Sequence, residues 1–113
     1  MKVAIIGSRT LKIDNLGKYL PKNTTEIVSG GAKGIDLCAK NYALEKNLKY
    51  TEFLPQYNLY RRNAPLKRNI EIINYADLVV AFWDKKSKGT KFVIESCDKL
   101  GKTCEIITII NPK

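Results

Sequence analysis

Three short segments of this chain combine glycine with hydroxyl and basic side chains: Gly7-Ser8-Arg9-Thr10, Ser29-Gly30-Gly31-Ala32-Lys33-Gly34 and Ser87-Lys88-Gly89-Thr90. Glycine lets the backbone approach a ligand closely and adopt a positive φ, and a helix that starts after such a turn offers unpaired N–H groups and a positive dipole end. Ser, Thr, Arg and Lys add donors. This chemistry suits an anion, phosphate above all. The Gly30–Gly34 turn is the clearest of the three, although taken alone a tight strand-to-helix connection explains its glycines equally well. It is not the dinucleotide fingerprint, which belongs after the first strand, where Gly7-Ser8-Arg9 stands instead. Gly101-Lys102-Thr103 looks like the end of a P-loop, but Ser96 replaces the first glycine and a strand follows.

Two further features fit a pocket. Asp36, two residues beyond Gly34, is placed to accept from a sugar hydroxyl or simply to favour the helix dipole. Tyr57, Tyr60, Arg61 and Arg62 interleave aromatic and basic residues in one long connection. That mixture suits stacking on a base beside a phosphate, or an ordinary surface loop. Asp77 reads as a turn residue ahead of a strand. Glu95 lies five residues after Thr90, and so is rotated away from it on a helix. The chain has no histidine, which removes Ser-His-Asp and Cys-His nucleophiles and histidine metal sites. No pattern calls for a metal or cofactor. Any proton transfer falls to carboxylates, tyrosines or lysines.

The net charge is +9, from 20 Lys and Arg against 11 Asp and Glu. It attracts nucleotides, nucleic acid or acidic partners, but the lysines are scattered and form no concentrated stripe. Cys38, Cys97 and Cys104 match no zinc spacing and read as free thiols. With no apolar run long enough to span a membrane and no signal peptide, the expectation is a cytoplasmic protein, or a nuclear one in a eukaryote.

Strand and helix patterns alternate along all 113 residues, which fit one domain. Strands are expected at Lys2–Ile6, Thr25–Val28, Tyr50–Leu54, Leu78–Trp83 and Thr103–Ile110. Asp14–Leu20 reads as a helix. Ile35, Cys38, Ala39, Tyr42 and Ala43 follow the i, i+3, i+4, i+7, i+8 stripe of a helix within Gly34–Asn47. Pro55–Ala64 is a long connection, and a third helix runs from Pro65 to Tyr75 with Asn63 as its cap. Thr90–Leu100 is the last helix, after a Ser87–Gly89 turn. Such alternation implies an α/β doubly wound three-layer sandwich on a five-stranded parallel sheet. A homodimer is compatible with this size.

Gly7-Ser8-Arg9, Ser29 through Asp36, Lys67-Arg68-Asn69, Ala76-Asp77 and Ser87-Lys88-Gly89-Thr90 together resemble the SLOG superfamily, and within it the YspA-like (DUF2493) branch. The superfamily also includes the DNA-processing protein DprA/Smf and the Lonely Guy phosphoribohydrolases. The resemblance implies a Rossmann-like sheet with a nucleotide or nucleotide-derived, even NAD-derived, ligand between the first and fourth strand ends. It implies a site at Gly7, Ser8, Arg9, Ser29, Gly30, Gly31, Lys33, Gly34, Asp36, Arg68, Asn69, Ser87, Gly89 and Thr90. The hydrolytic branch adds an arginine, matched by Arg68, and a glutamate three residues after the threonine. Here that position is Val93, which leaves Glu95 as the only nearby substitute. The expected function is therefore a sensor, carrier or sequestering protein for such a ligand. The alternatives are an N-glycosidase acting on nucleoside monophosphates and, on the DprA likeness and the charge, single-stranded DNA binding.

Overall fold

The computed structural model describes residues 1–109. Five strands, β1 (Lys2–Gly7), β2 (Glu26–Ser29), β3 (Lys49–Glu52), β4 (Leu78–Trp83) and β5 (Cys104–Thr108), form one parallel sheet in the order β3-β2-β1-β4-β5. The helices are α1 (Ile35–Glu45), α2 (Tyr57–Tyr60), α3 (Ala64–Tyr75) and α4 (Lys88–Leu100). Burial follows position in the sheet. The central strands β1, β2 and β4 are buried almost throughout, whereas β3 and β5 alternate between partial and full exposure. Strands covered on both faces need continuous apolar runs, and edge strands do not.

Two apolar layers sandwich the sheet. On one face Ile35, Ala39 and Ala43 of α1 pack with Leu11 and Leu16 on Val3, Ile5, Ile27, Val80 and Phe82. On the other, Ile72 and Ile73 of α3, Ala76 just after it, and Val93 and Cys97 of α4 cover Ala4, Ile6, Val28 and Val79. The chain thus winds over one face from β1 to β3 and over the other from β3 to β5. This is the expected doubly wound, Rossmann-like α/β architecture, and its direction reverses between β1 and β4.

Several local expectations are corrected. Asp14–Leu20 is no α-helix; it holds a single 3-10 turn, Leu16–Tyr19. A Cβ on Gly17 would lie 2.7 Å from the Tyr42 hydroxyl, so the segment lies flat against α1 and a glycine interrupts it. The Pro55–Ala64 connection contains α2 and a 3-10 turn, Arg61–Asn63, that runs directly into α3. Asn63 therefore makes no side-chain cap. α4 begins at Lys88, two residues early, because Ser87 Oγ accepts the Thr90 N–H at 3.3 Å and serves as the cap. The last strand ends at Thr108, and Ile110 lies outside the described residues.

At the amino end of the sheet, Glu26 shows how a buried acid is accommodated in a central strand. Thr51 and Tyr75 each donate to its Oε2 at 2.6 Å, and Lys49 lies 3.7 Å away. Burial opposes ionisation, but these donors and the Lys49 charge hold the carboxyl below its ordinary value.

At the other end two glycines seat α1 against β1. A Cβ on Gly7 would lie 2.7 Å from Ile35 Cβ, and one on Gly34 would meet Arg9 O and sit 2.7 Å from Ser8 O. Gly34 also has φ 69 and ψ −122, a conformation strained for any residue that carries a Cβ. Gly34→Ala should lower stability by about 3 kcal/mol in urea unfolding. A loss within about 0.5 kcal/mol of zero, the ordinary range for a surface change, would contradict this packing.

Candidate functional site

The carboxyl ends of β1 and β4 are stitched together. Gly7 pairs with Phe82, the Ser8 N–H donates to Phe82 O at 3.1 Å, and the Asp84 N–H donates to Ser8 Oγ at 3.4 Å. Beyond them opens a cleft of about 460 Å³. It is walled by the β1–β2 and β4–α4 connections, Ala32 and the start of α1, and the first turns of α3. Of the residues expected at a site, Gly7, Ser8, Arg9, Asp36, Arg68, Asn69, Ser87, Gly89 and Thr90 line it.

Ser29, Gly30, Gly31, Lys33 and Gly34 do not line the cleft; Ser29, Gly30 and Gly34 pack behind it, and Gly31 and Lys33 are exposed. Arg68 Nη1 donates to Gly30 O at 2.7 Å, and a Cβ there would lie 2.7 Å from the same nitrogen. Gly31, at φ 73, lies against Glu52 and Leu54, and Lys33 is exposed. Ser29 Oγ is buried without a hydrogen bond of good geometry, yet it lies beside both the Asp36 carboxyl and the Tyr50 hydroxyl. Only Ala32 and Asp36 carry this turn to the cleft wall, and the Ala32 N–H donates to Asp36 Oδ2 at 3.2 Å.

Arg68 owes its burial to helical spacing. Ala64, Arg68 and Ile72 repeat every four residues along the face of α3 that packs on the sheet. Its guanidinium also donates through Nε to Asn69 Oδ1 at 2.8 Å and through Nη1 to Phe53 O at 3.4 Å. Among the described residues no carboxylate comes within ion-pair distance of it. Burial pulls the Arg68 pKa down, with the Arg9 charge acting in the same direction, against the attraction of Asp36. Burial likewise pushes Asp36 up, outweighing the Ala32 N–H and the Arg68 charge. Two desolvated charges therefore face one cleft without touching.

The β4–α4 connection is organised by Asp84. Its Oδ1 accepts the Lys86 and Ser87 N–H groups at 2.8 Å each, which holds the carboxyl below its ordinary value. Thr90 Oγ1 donates to Ser87 Oγ at 3.2 Å. The Lys88 and Gly89 amides have no partner among the described residues, and a Cβ on Gly89 would meet nothing within 4 Å. The start of α4 is thus an open donor surface.

Asp84, Thr10 and Lys86 line the cleft but were not read as site residues. The Asp84-x-x-Ser87 spacing of an Asx turn was the available signal. Glu95 is not brought to the cleft. Its position 500° around the helix from Thr90 sets it, exposed, beside Asp98, Lys99 and β5. Val93 is fully buried in the core, Asp77 Oδ2 accepts the Lys2 N–H at the sheet's opposite end, and Glu71 is exposed.

Fold and cleft together define a Rossmann-like α/β domain with an anion-compatible crevice at its topological switch point. The chain belongs to the family of DNA recombination-mediator protein A, whose model matches residues 1–93. The likeness to DprA/Smf is therefore a family relationship. No curated protein and no solved structure matches the chain. Among the described residues, no helix is long and apolar enough to cross a membrane.

Because the Asp36 pKa is raised on folding, its contribution favours the fold below the ordinary carboxylate range. That contribution is lost as pH rises through the folded-state pKa. The stability of the wild type minus that of Asp36→Asn should accordingly fall as pH increases from about 3.5 towards about 7. A difference that rises with pH in denaturant titrations would reverse the assignment.

Proposed function

We propose that the cleft binds a nucleotide by its phosphate, and that the protein acts as a binding protein for this ligand. The observation that carries the reading is Arg68: a buried guanidinium at the switch point with no carboxylate in contact among the described residues. Around it stand Arg9, the hydroxyls of Ser8, Ser87 and Thr90, and the open amide of Gly89. A phosphate placed there supplies the countercharge that Asp36 does not, and meets helix-terminal N–H groups. The glycines of the Gly30–Gly34 turn contribute by letting Arg68 and the start of the β1–β2 connection pack closely, so this turn supports the grip from behind.

The family name and the +9 charge favour a second reading of the same site, in which the bound nucleotide is one unit of a single DNA strand. Turnover of a nucleoside monophosphate has less support. Glu95 lies elsewhere, and the cleft carboxylates Asp36 and Asp84 already accept backbone N–H groups. Within the family we place the chain in the YspA-like branch, on Arg68-Asn69 and the Ser87–Thr90 turn.

Calorimetry with nucleoside monophosphates and a thymidine oligonucleotide tests the assignment. Arg9 is exposed, so Arg9→Ala should leave the fold intact while weakening both ligands at least about ten-fold, the loss of one charge-assisted contact. Oligonucleotide affinity should fall with salt at a logarithmic slope of about −0.7 per phosphate held. Unchanged affinity in Arg9→Ala would remove the cleft from consideration. Release of free base, followed by chromatography, would instead restore the hydrolase.

A further inference from the structure

Two of the three cysteines meet at the amino end of the sheet, away from the cleft. α4 stops at Gly101, whose φ of 71 turns the chain back sharply. The Lys102 N–H then donates to Cys97 O at 2.9 Å, and the Val79 N–H donates to Thr103 O at 3.1 Å. Cys104 therefore opens β5 opposite Val79, against the last turn of the helix that carries Cys97. Their sulfurs lie side by side. Cys97 is buried, whereas Cys104 is half-buried and faces a groove of about 690 Å³ between α4 and β5. Lys102 lines the same groove, and its Nζ donates to Ala76 O, which fixes its charge beside the pair. The Cys104 thiol draws the Cys97 pKa down, outweighing burial, and the Lys102 charge acts in the same direction. The same contact, with burial, pushes Cys104 up. Cys38 is carried by α1 on the opposite face of the sheet, where its sulfur accepts the Ile13 N–H at 3.5 Å.

We propose that Cys97 and Cys104 form a redox site that closes to a disulfide when a hydroperoxide enters this groove, clamping β5 to α4. Loss of one proton leaves the two sulfurs sharing the other. Its transfer to Cys97 frees the more basic Cys104 sulfur, the stronger nucleophile. That sulfur attacks the peroxide: an S–O bond forms, the O–O bond breaks, and the leaving oxygen takes up the released proton. The Cys97 sulfur then attacks the sulfenic sulfur. An S–S bond forms, the S–O bond breaks, and the hydroxyl leaves as water with the Cys97 proton. Two electrons pass from the thiols to the peroxide, and a dithiol reductant returns them. β5 is an edge strand paired to β4, so tying it to the preceding helix restricts the unfolded chain and stabilises the fold. The site is independent of the cleft and of the ligand proposed there.

The test treats the wild type, Cys38→Ser and Cys104→Ser with hydrogen peroxide, then alkylates the denatured proteins and measures intact mass. The wild type should fall from three alkylated thiols to one, with a loss of two hydrogens (about 2 Da), and dithiothreitol should restore all three. Lys99 and Lys102 stand between the two cysteines, so trypsin separates them unless the disulfide joins their peptides. Oxidised wild type should unfold at a higher urea concentration than the reduced form. Cys38→Ser should form the same bond, and Cys104→Ser should neither form it nor shift its midpoint. Three alkylated thiols in the peroxide-treated wild type would overturn the site. So would sulfinic or sulfonic acid in place of the bond, or a bond that includes Cys38 or joins two chains. A bond that leaves the urea midpoint unchanged or lower would also overturn it, because the sulfurs would then meet without clamping the native fold.

Discussion

A guanidinium on the sheet-facing side of a helix must find acceptors inside the protein. Arg68 finds them in the backbone: Gly30 O at the end of β2 and Phe53 O just beyond β3. This ties α3 to the carboxyl ends of two strands on the far side of the switch point. The contact exists because Gly30 has no side chain, since a Cβ there would fall 2.7 Å from Nη1. One buried charge thus dictates a glycine 38 residues away and fixes one wall of the cleft.

The same arrangement leaves electrostatic business unfinished. Carbonyl oxygens satisfy Arg68's hydrogen bonds, but they do not neutralise its charge. Asp36 stays beyond ion-pair distance and is itself desolvated. Opposite them, Asp84 organises the β4–α4 connection by accepting two backbone amides. The amides and hydroxyls at the start of α4 are thereby held in place by the fold itself. Fixed donors around a partly compensated cation favour an anion without the cost of rearranging the loops.

The strand order converts these loops into one site. Because the winding reverses between β1 and β4, the connections that follow them diverge to opposite faces and leave a crevice. Gly7 and Gly34 narrow its base by seating α1 directly on β1. The exposed Tyr57 and Tyr60 lie at its margin, on a connection that contributes almost nothing to the core.

The continuous apolar run Leu78–Trp83 and the stripe from Ile35 to Ala43 made the buried parallel strand and its covering helix legible, because burial on a sheet imposes those periodicities. The Ser-Gly-Arg-Thr chemistry of the first and last turns was equally plain. Asp14–Leu20 was misread because packing against Tyr42, a distant residue, flattens it. Asn63 failed as a cap because the preceding turn is already helical. The Gly30–Gly34 turn, the strongest motif in the chain, changed most in meaning. Its composition is the same for a glycine that touches a ligand and for one that makes room for a neighbour. The chain alone determined that glycine is required there. Only the tertiary structure, by bringing Arg68 and the Ser8-Arg9 backbone against that turn, decided what the glycines make room for.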